Sequence, residues 1–300
     1  MELAKLNVMY GHLEGTEGKF ARDPSGYLSI DAGIYAEYGL DVSWRHVQGT
    51  EARYQQLENG GAHISMVVGR ASLQHFLDTK KTRLLGCVMN SCTYYLVAAE
   101  GIRTIGELKN KKISCREGPA QGVPLGRLLE ERAGLQLNKD LTLQFTEGDQ
   151  DAFRLLLGGQ VQAAWLPRPY AFIAEEKGFA RLNEGSDIVD DPLPITMETT
   201  AALSRERADN FSRFVQAHRK GIRYLRNHRD EAMDLLQTRF GHAPELAAKT
   251  FDEYLICMDD RLTVDFKHLE KLVGQIAPSI PGGAQQIASE WIMPGALRIG

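Results

Sequence analysis

The feature that most constrains this 300-residue chain is a step from helix into strand that occurs twice. Leu57–Ile64 reads LENGGAHI and Leu156–Ala164 reads LLGGQVQAA. Each step sits inside a series of alternating patterns. Around the first, Lys5–Tyr10 reads as a buried strand, Gly26–Tyr38 as a helix, Asp41–Val47 as a strand, Glu51–Asn59 as a helix and His63–Val68 as a strand. Around the second, Lys112–Arg116 reads as a strand, Pro119–Ala133 as a helix, Leu141–Phe145 as a strand, Asp149–Leu157 as a helix and Gln162–Leu166 as a strand. Alternation of this kind implies parallel strands joined by helical crossovers. Two such series in succession imply two lobes.

Cys87–Ala99 is apolar and β-prone, and Thr104–Lys109 reads as a short helix. The chain is expected to cross into the second lobe near 98–101 and to return near 194–200. Beyond the return, Phe211, Phe214, Val215, His218, Ile222 and Leu225 recur at steps of three or four, so Arg205–Asn227 is an amphipathic helix. Val264, Leu269, Leu272, Val273 and Ile276 repeat the pattern. These C-terminal helices are expected to pack back on the first lobe, giving residues 1–98 plus 200–300 as lobe 1 and 99–199 as lobe 2, with the two crossings as the hinge.

Composition narrows the function. With 43% hydrophobic and 25% charged residues, the chain can bury one or two substantial cores. A net charge of -4 leaves no electrostatic footprint for nucleic acid. There is no apolar run of about 18 residues, so no direct membrane insertion is expected. The start, Met1-Glu2-Leu3-Ala4-Lys5, has none of the marks of a secretory signal. The location is therefore periplasmic if a leader has been removed, or cytoplasmic if Met1 is native. The four cysteines, Cys87, Cys92, Cys115 and Cys257, contain no CxxC pair, so neither a zinc site nor a disulfide framework is expected, and no metal or cofactor is assigned.

In open α/β sheets, ligands sit beyond the carboxyl ends of the strands, where helix N-termini present unpaired N–H groups. That rule selects the turns Tyr10-Gly11-His12, Gly49-Thr50-Glu51, Gly69-Arg70-Ala71-Ser72, Asn90-Ser91-Cys92 and Glu117–Gly122. From them Tyr10, His12, Gly49, Thr50, Arg70, Asn90, Ser91, Gly118 and Gln121 are candidate ligand contacts. Thr50 is either a contact or its helix's N-cap. The Arg70 fork suits a carboxylate, sulfonate or phosphate, the alternative being a structural pair. Trp165 and Tyr170 are candidates for an aromatic wall or for core packing, and Arg168 is a candidate for the second jaw. Thr199, within Glu198-Thr199-Thr200, is placed on the return crossing. His63 reads as a hydrogen-bonded structural residue.

Several stretches together resemble a known family. Tyr27–Val42 (YLSIDAGIYAEYGLDV), the two helix-to-strand steps and Glu100–Ile113 (EGIRTIGELKNKKI) are similar, in order, to type II periplasmic solute-binding proteins for nitrate, alkanesulfonates and thiamine-pyrimidine precursors. The resemblance implies a two-lobed α/β fold, each lobe a mostly parallel open sheet flanked by helices. It also implies capture of a small organic anion (sulfonate, carboxylate or pyrimidine-like) by hinge closure, and an ABC permease as partner if the protein is exported. The chain departs from the family pattern at His63 and Gln162, where Asp is usual. It departs again at Leu166-Pro167-Arg168-Pro169, where Trp-Asp-Pro or Trp-Glu-Pro is usual, and at Arg70, where related binders carry a small or polar residue.

The alternative is an enzyme on the same fold acting on a small aromatic acid. Pyrimidine synthases of this resemblance carry a CCCFC segment that is absent here, and Ala71 stands near the position of their substrate histidine. Aromatic sulfinate desulfinases use a cysteine after the first strand, and Tyr10–Ala21 has none. His63 and Arg70 resemble their remaining pair, and Cys92 is the thiol a cleft would receive. A transcription regulator's effector domain would need a helix-turn-helix ahead of a first strand that starts near residue 5.

Overall fold

The computed structural model describes residues 2–10, 23–47, 49–89, 94–116, 119–183, 193–280 and 282–298. The first stretch of the fold runs β1 (Ala4–Tyr10), α1 (Pro24–Asp31), α2 (Ile34–Glu37), β2 (Leu40–His46), α3 (Thr50–Glu58), β3 (Ile64–Val67), α4 (Gly69–Thr79) and β4 (Thr82–Met89). The single helix expected over 26–38 divides at Gly33, whose φ of +68° is a left-handed conformation that breaks the helical ladder. Asp23 caps α1 by accepting the Ser25 N–H, and Pro24 takes the first helical position, where its missing N–H costs nothing.

The middle stretch runs β5 (Tyr94–Ala98), a 3-10 turn (Ile105–Leu108), β6 (Lys112–Arg116), α5 (Pro119–Ala133), β7 (Thr142–Thr146), α6 (Asp149–Leu157), β8 (Ala163–Pro167), α7 (Tyr170–Glu176) and β9 (Ala180–Arg181). The 3-10 turn is set by a capping box in which Thr104 and Glu107 satisfy each other's backbone N–H groups.

The last stretch runs β10 (Ile195–Thr200), α8 (Ala201–Glu206), α9 (Ala208–Asn227), α10 (Arg229–Thr238), α11 (Pro244–Cys257), β11 (Val264–Asp265), α12 (Phe266–Ile276), α13 (Gly283–Trp291) and β12 (Leu297–Arg298). The helix expected from Arg205 starts at Ala208, after α8 has closed at Glu206.

The two large sheets share one plan. The first has the order β2-β1-β3-β10-β4 and the second β7-β6-β8-β5-β9. In each, the strand in fourth place is antiparallel to its neighbours: β10 to β3 and β4, β5 to β8 and β9. The sheets are thus mixed rather than purely parallel, because each crossing strand enters its new sheet from the shared end.

Sheet membership also moves the crossings. Tyr94–Ala98 pairs in the second sheet, whereas the division at 98/99 would leave it with the first; Ile195–Thr200 pairs in the first sheet, ahead of the division at 199/200. Both crossings therefore lie before the strand rather than after it. Helices α9, α10 and α11 share a core with the first sheet through Phe211, Phe214, Leu235 and Phe251, and α12 and α13 build a second one around Trp291 on β4 and α4. No described helix is long and apolar enough to cross a membrane.

Candidate functional site

At the carboxyl end of the first sheet, Tyr10 closes β1 within an aromatic group. Its hydroxyl is hydrogen-bonded to that of Tyr27, whose ring meets it edge-on at 6.2 Å, and it tilts against Trp44 and His46. Gly26 permits this packing, since a Cβ there would run into the Trp44 ring. Gly49, at φ +82°, is the N-cap of α3, so Thr50 is not the cap. The Thr50 hydroxyl instead accepts from Arg53 Nη2 at 3.1 Å, while Arg53 Nη1 binds the Val47 carbonyl at 3.1 Å. Arg53 thereby folds over the turn that follows β2.

Arg70, in the first turn of α4, is buried and hydrogen-bonds Gln275 on α12. Gly69 beside it donates to the Leu193 carbonyl at 2.9 Å, and a Cβ there would stand 2.5 Å from that oxygen. Thr199 is not on the cleft side. It lies near the end of β10, its hydroxyl donates to the His63 carbonyl at 2.7 Å, and it pairs with Arg83 at the start of β4. Because β10 runs antiparallel from the crossing, its later residues are carried to the opposite edge of the sheet. His63 accepts the Asn7 N–H through Nδ1 at 2.9 Å, and burial, then Arg207, lowers its pKa, in line with a structural role.

Arg168 is fully buried, but it is turned towards the first lobe. Its guanidinium pairs with Glu253 Oε1 at 2.5 Å, lies 4.3 Å from the Tyr254 ring centroid and approaches Met89 Sδ at 3.4 Å. Burial disfavours its charge, yet Glu253 and then Tyr254 hold its pKa above the ordinary value. Burial pushes the Glu253 carboxyl up, against the pull of Arg168. We read the pair as ionised, because a guanidinium does not give up its proton and a neutral acid would leave that cation uncompensated. Near the other end of α11, Leu246 enters the second lobe's core beside Tyr95 and Phe172. Helix α11 thus straps the two lobes together.

The carboxyl end of the second sheet carries a group that the sequence reading did not select. Asp149, at the start of α6, is fully buried; it lies 3.6 Å from Arg116 Nη1 at the end of β6 and accepts from the Tyr94 hydroxyl at 3.3 Å. Tyr94 and then Asp149 help raise the Arg116 pKa. The signal was available, for Arg116 ends an expected strand and Asp149 begins an expected helix.

Behind them, Trp165 is fully buried and stacks on Tyr94 at 5.9 Å, which makes it part of the core rather than an open wall. Gln121, in the first turn of α5, is 3% exposed. Tyr170 likewise lies in the core, against Phe153. Sequence candidates Gln121 and Trp165 thus belong to one lobe, while Tyr10, Gly49, Thr50 and Arg70 stand on the other. His12, Asn90, Ser91, Gly118 and Cys92 lie outside the described residues.

Two further buried networks escaped sequence reading, since their members are far apart in the chain. Asp23 Oδ2 pairs with His218 Nε2 at 2.7 Å, and His218 Nδ1 meets the Tyr35 hydroxyl at 2.7 Å. Glu198, inside β10, accepts from the Ser72 hydroxyl at 2.5 Å, and burial pushes its carboxyl up to about 7. Burial also pushes the Cys87 and Cys115 thiols up to about 12, so neither is a ready thiolate.

Solved structures similar to this geometry include the alkanesulfonate-binding protein SsuA from Xanthomonas axonopodis pv. citri bound to MOPS. It is 14% identical with a TM-score of 0.73, and the match covers 99% of both chains. The periplasmic aliphatic sulphonate binding protein SsuA from Escherichia coli is 14% identical with a TM-score of 0.71, covering 95% of this chain and 92% of that one. The desulfurization enzyme DSZB is 14% identical with a TM-score of 0.64, covering 96% and 92%. These likenesses establish a periplasmic-binding-protein fold. No curated protein sequence matches. The model of the NMT1/THI5-like family matches residues 25–232, more than half of the chain. The chain therefore belongs to the NMT1/THI5-like family.

Proposed function

We propose that this protein is a substrate-binding protein that captures a small organic anion between its two lobes and delivers it to an ABC-type permease. The observation that carries this reading is the shared end of the two sheets. Met89 closes β4 and Tyr94 opens β5, five positions later, so at most about 18 Å of chain separates the carboxyl ends of the two sheets. Both ends bear helix N-termini and arginines. Tyr10, the Gly49–Thr50 turn and Arg70 would form one jaw and Arg116, Tyr94 and Gln121 the other, with lobe 1 taken as residues 1–89 and 195–300 and lobe 2 as the segment from Tyr94 to Arg181. A ligand that touches both jaws favours the closed population. The sulfonate-binding neighbours support the ligand class, and the Escherichia coli neighbour supports a periplasmic location.

A thermal-shift screen of the purified protein against MOPS, ethanesulfonate, small carboxylates, nitrate and pyrimidines, with product analysis of each hit, tests the reading. The expected result is a rise in Tm with the compound recovered unchanged. A hit consumed with turnover would replace binding by catalysis.

A further inference from the structure

Resting on that reading, we infer that capture of an anion at the first jaw is coupled to uptake of a proton by Glu198, whose carboxyl lies against the first turns of α3 and α4. Glu198 stands inside β10, the strand that returns the chain to the first lobe, opposite Ser65 of β3 and Leu84 of β4. Its side chain is fully buried. One carboxyl oxygen accepts from the Ser72 hydroxyl of α4 at 2.5 Å; among the described residues the other makes no hydrogen bond and no cation pairs with the group. Burial without a paired cation favours the neutral form of an acid.

The neighbours leave this carboxyl as the group that changes charge near neutral pH. Arg53 and Tyr54 face it from α3 and Ser72 from α4, while Ser65 and Leu84 are its partners on the two flanking strands. The His75 ring of α4 stacks on Tyr54 at 3.5 Å. Arg53 stays charged and directs Nη1 to the Val47 carbonyl and Nη2 to Thr50. Burial, then Glu198 itself, holds the Tyr54 hydroxyl far above its ordinary value, so it keeps its proton. Burial lowers the His75 pKa, so that ring is neutral above pH 6.5. Glu198 is pushed by burial up to about 7, against the opposing pull of Ser72, Tyr54 and Arg53.

A bound anion acts on this carboxyl in two ways of the same sign. It adds a negative charge: Ser72 is three residues past Gly69, about 4.5 Å along the helix, so an anion at that end of α4 stands about 10 Å from Glu198. At an effective dielectric of about 20, like charges at that distance interact by about one pKa unit. It also draws on the field of Arg53, which in the free protein helps Glu198 to ionise. The liganded protein therefore holds the Glu198 proton more tightly than the free one. Affinity is full below pH 7 and falls as pH rises through that value.

The experiment is calorimetric titration with ethanesulfonate, an anion at every pH used, from pH 6 to pH 9 in cationic buffers at fixed ionic strength. Binding is expected to be about tenfold weaker at pH 9 than at pH 6. Near pH 7.5 the binding enthalpy should differ between imidazole and Tris buffers, reporting uptake of about half a proton. Glu198→Gln, which imitates the protonated acid, should bind with the same affinity across the range. Ser72→Ala removes a donor that favours the carboxylate and should move the fall to higher pH. Affinity that is constant with pH in the parent, with no dependence on buffer, would overturn the coupling and leave anion capture standing. A fall that survives in Glu198→Gln, or that Ser72→Ala fails to move, would overturn it by assigning the proton to another group. If no anion of the wider screen binds, anion capture fails and the coupling with it.

Discussion

The two lobes share a strand order and differ in how far along the chain their buried polar partners lie. In the first, those flanking the sheet answer one another across long sequence separations: Asp23 with His218 and Tyr35, Glu198 with Ser72, Arg70 with Gln275. In the second, Asp149 gathers Arg116 and the Tyr94 hydroxyl from within one continuous segment. The first lobe is thus closed from two stretches of chain and the second from one. Satisfied networks of this kind rigidify the lobe that holds them.

The strap between the lobes offers the largest way to break that contrast. Arg168→Met leaves Glu253 buried without its cation and should cost about 3–5 kcal/mol in chemical denaturation, whereas Arg168→Met with Glu253→Met should recover most of the loss. If the double variant is no better than the single one, the strap owes its strength to packing, through Leu246 and its neighbours, rather than to the ion pair.

A smaller effect belongs to the first lobe's frame. The Glu198 carboxyl is raised to about 7 by burial, above its ordinary value of 4.5. The native state therefore holds its proton more tightly than the unfolded chain. Near pH 4.5 and below both states are protonated and the burial carries no penalty; as pH rises through 7 the cost grows to about 3 kcal/mol, at 1.36 kcal/mol per unit. Glu198→Gln should be more stable than the parent at pH 8 and close to it at pH 5, as read from urea midpoints across that range. Parallel pH profiles for the two proteins would show that Ser72 and its neighbours already offset the burial.

The smallest effect separates the two cleft arginines. Arg116→Gln should weaken ethanesulfonate binding by about tenfold, or about 1.4 kcal/mol, and Arg70→Gln by less, because Arg70 is buried against Gln275 whereas the Arg116 side chain keeps 29% exposure. The reverse order would move the anion contact to the first lobe.

Much of the fold was legible because local chemistry repeats it. Lys112–Arg116, Pro119–Ala133 and Asp149–Leu157 are bounded in the structure as their patterns propose. The resemblance carried by Tyr27–Val42 and the two glycine steps pointed to the architecture that the family match supports. The candidate site was legible only as a set of turns. Gln121 and Trp165 were selected by position and composition, and both are buried. Arg168 was assigned to the wrong surroundings, since nothing near it in the chain announces Glu253. Thr199 was misplaced because the crossing falls before β10 and not within it.

By itself, the sequence determined the alternation of strands and helices and the two-lobed class, because periodicity and glycine steps act over a few residues. Tertiary structure decided the direction of β5 and β10 and the partners of buried groups such as Arg168 and His218. Those outcomes depend on contacts between residues such as Asp23 and His218 or Arg168 and Glu253, brought together by packing across long separations in the chain that no local pattern encodes.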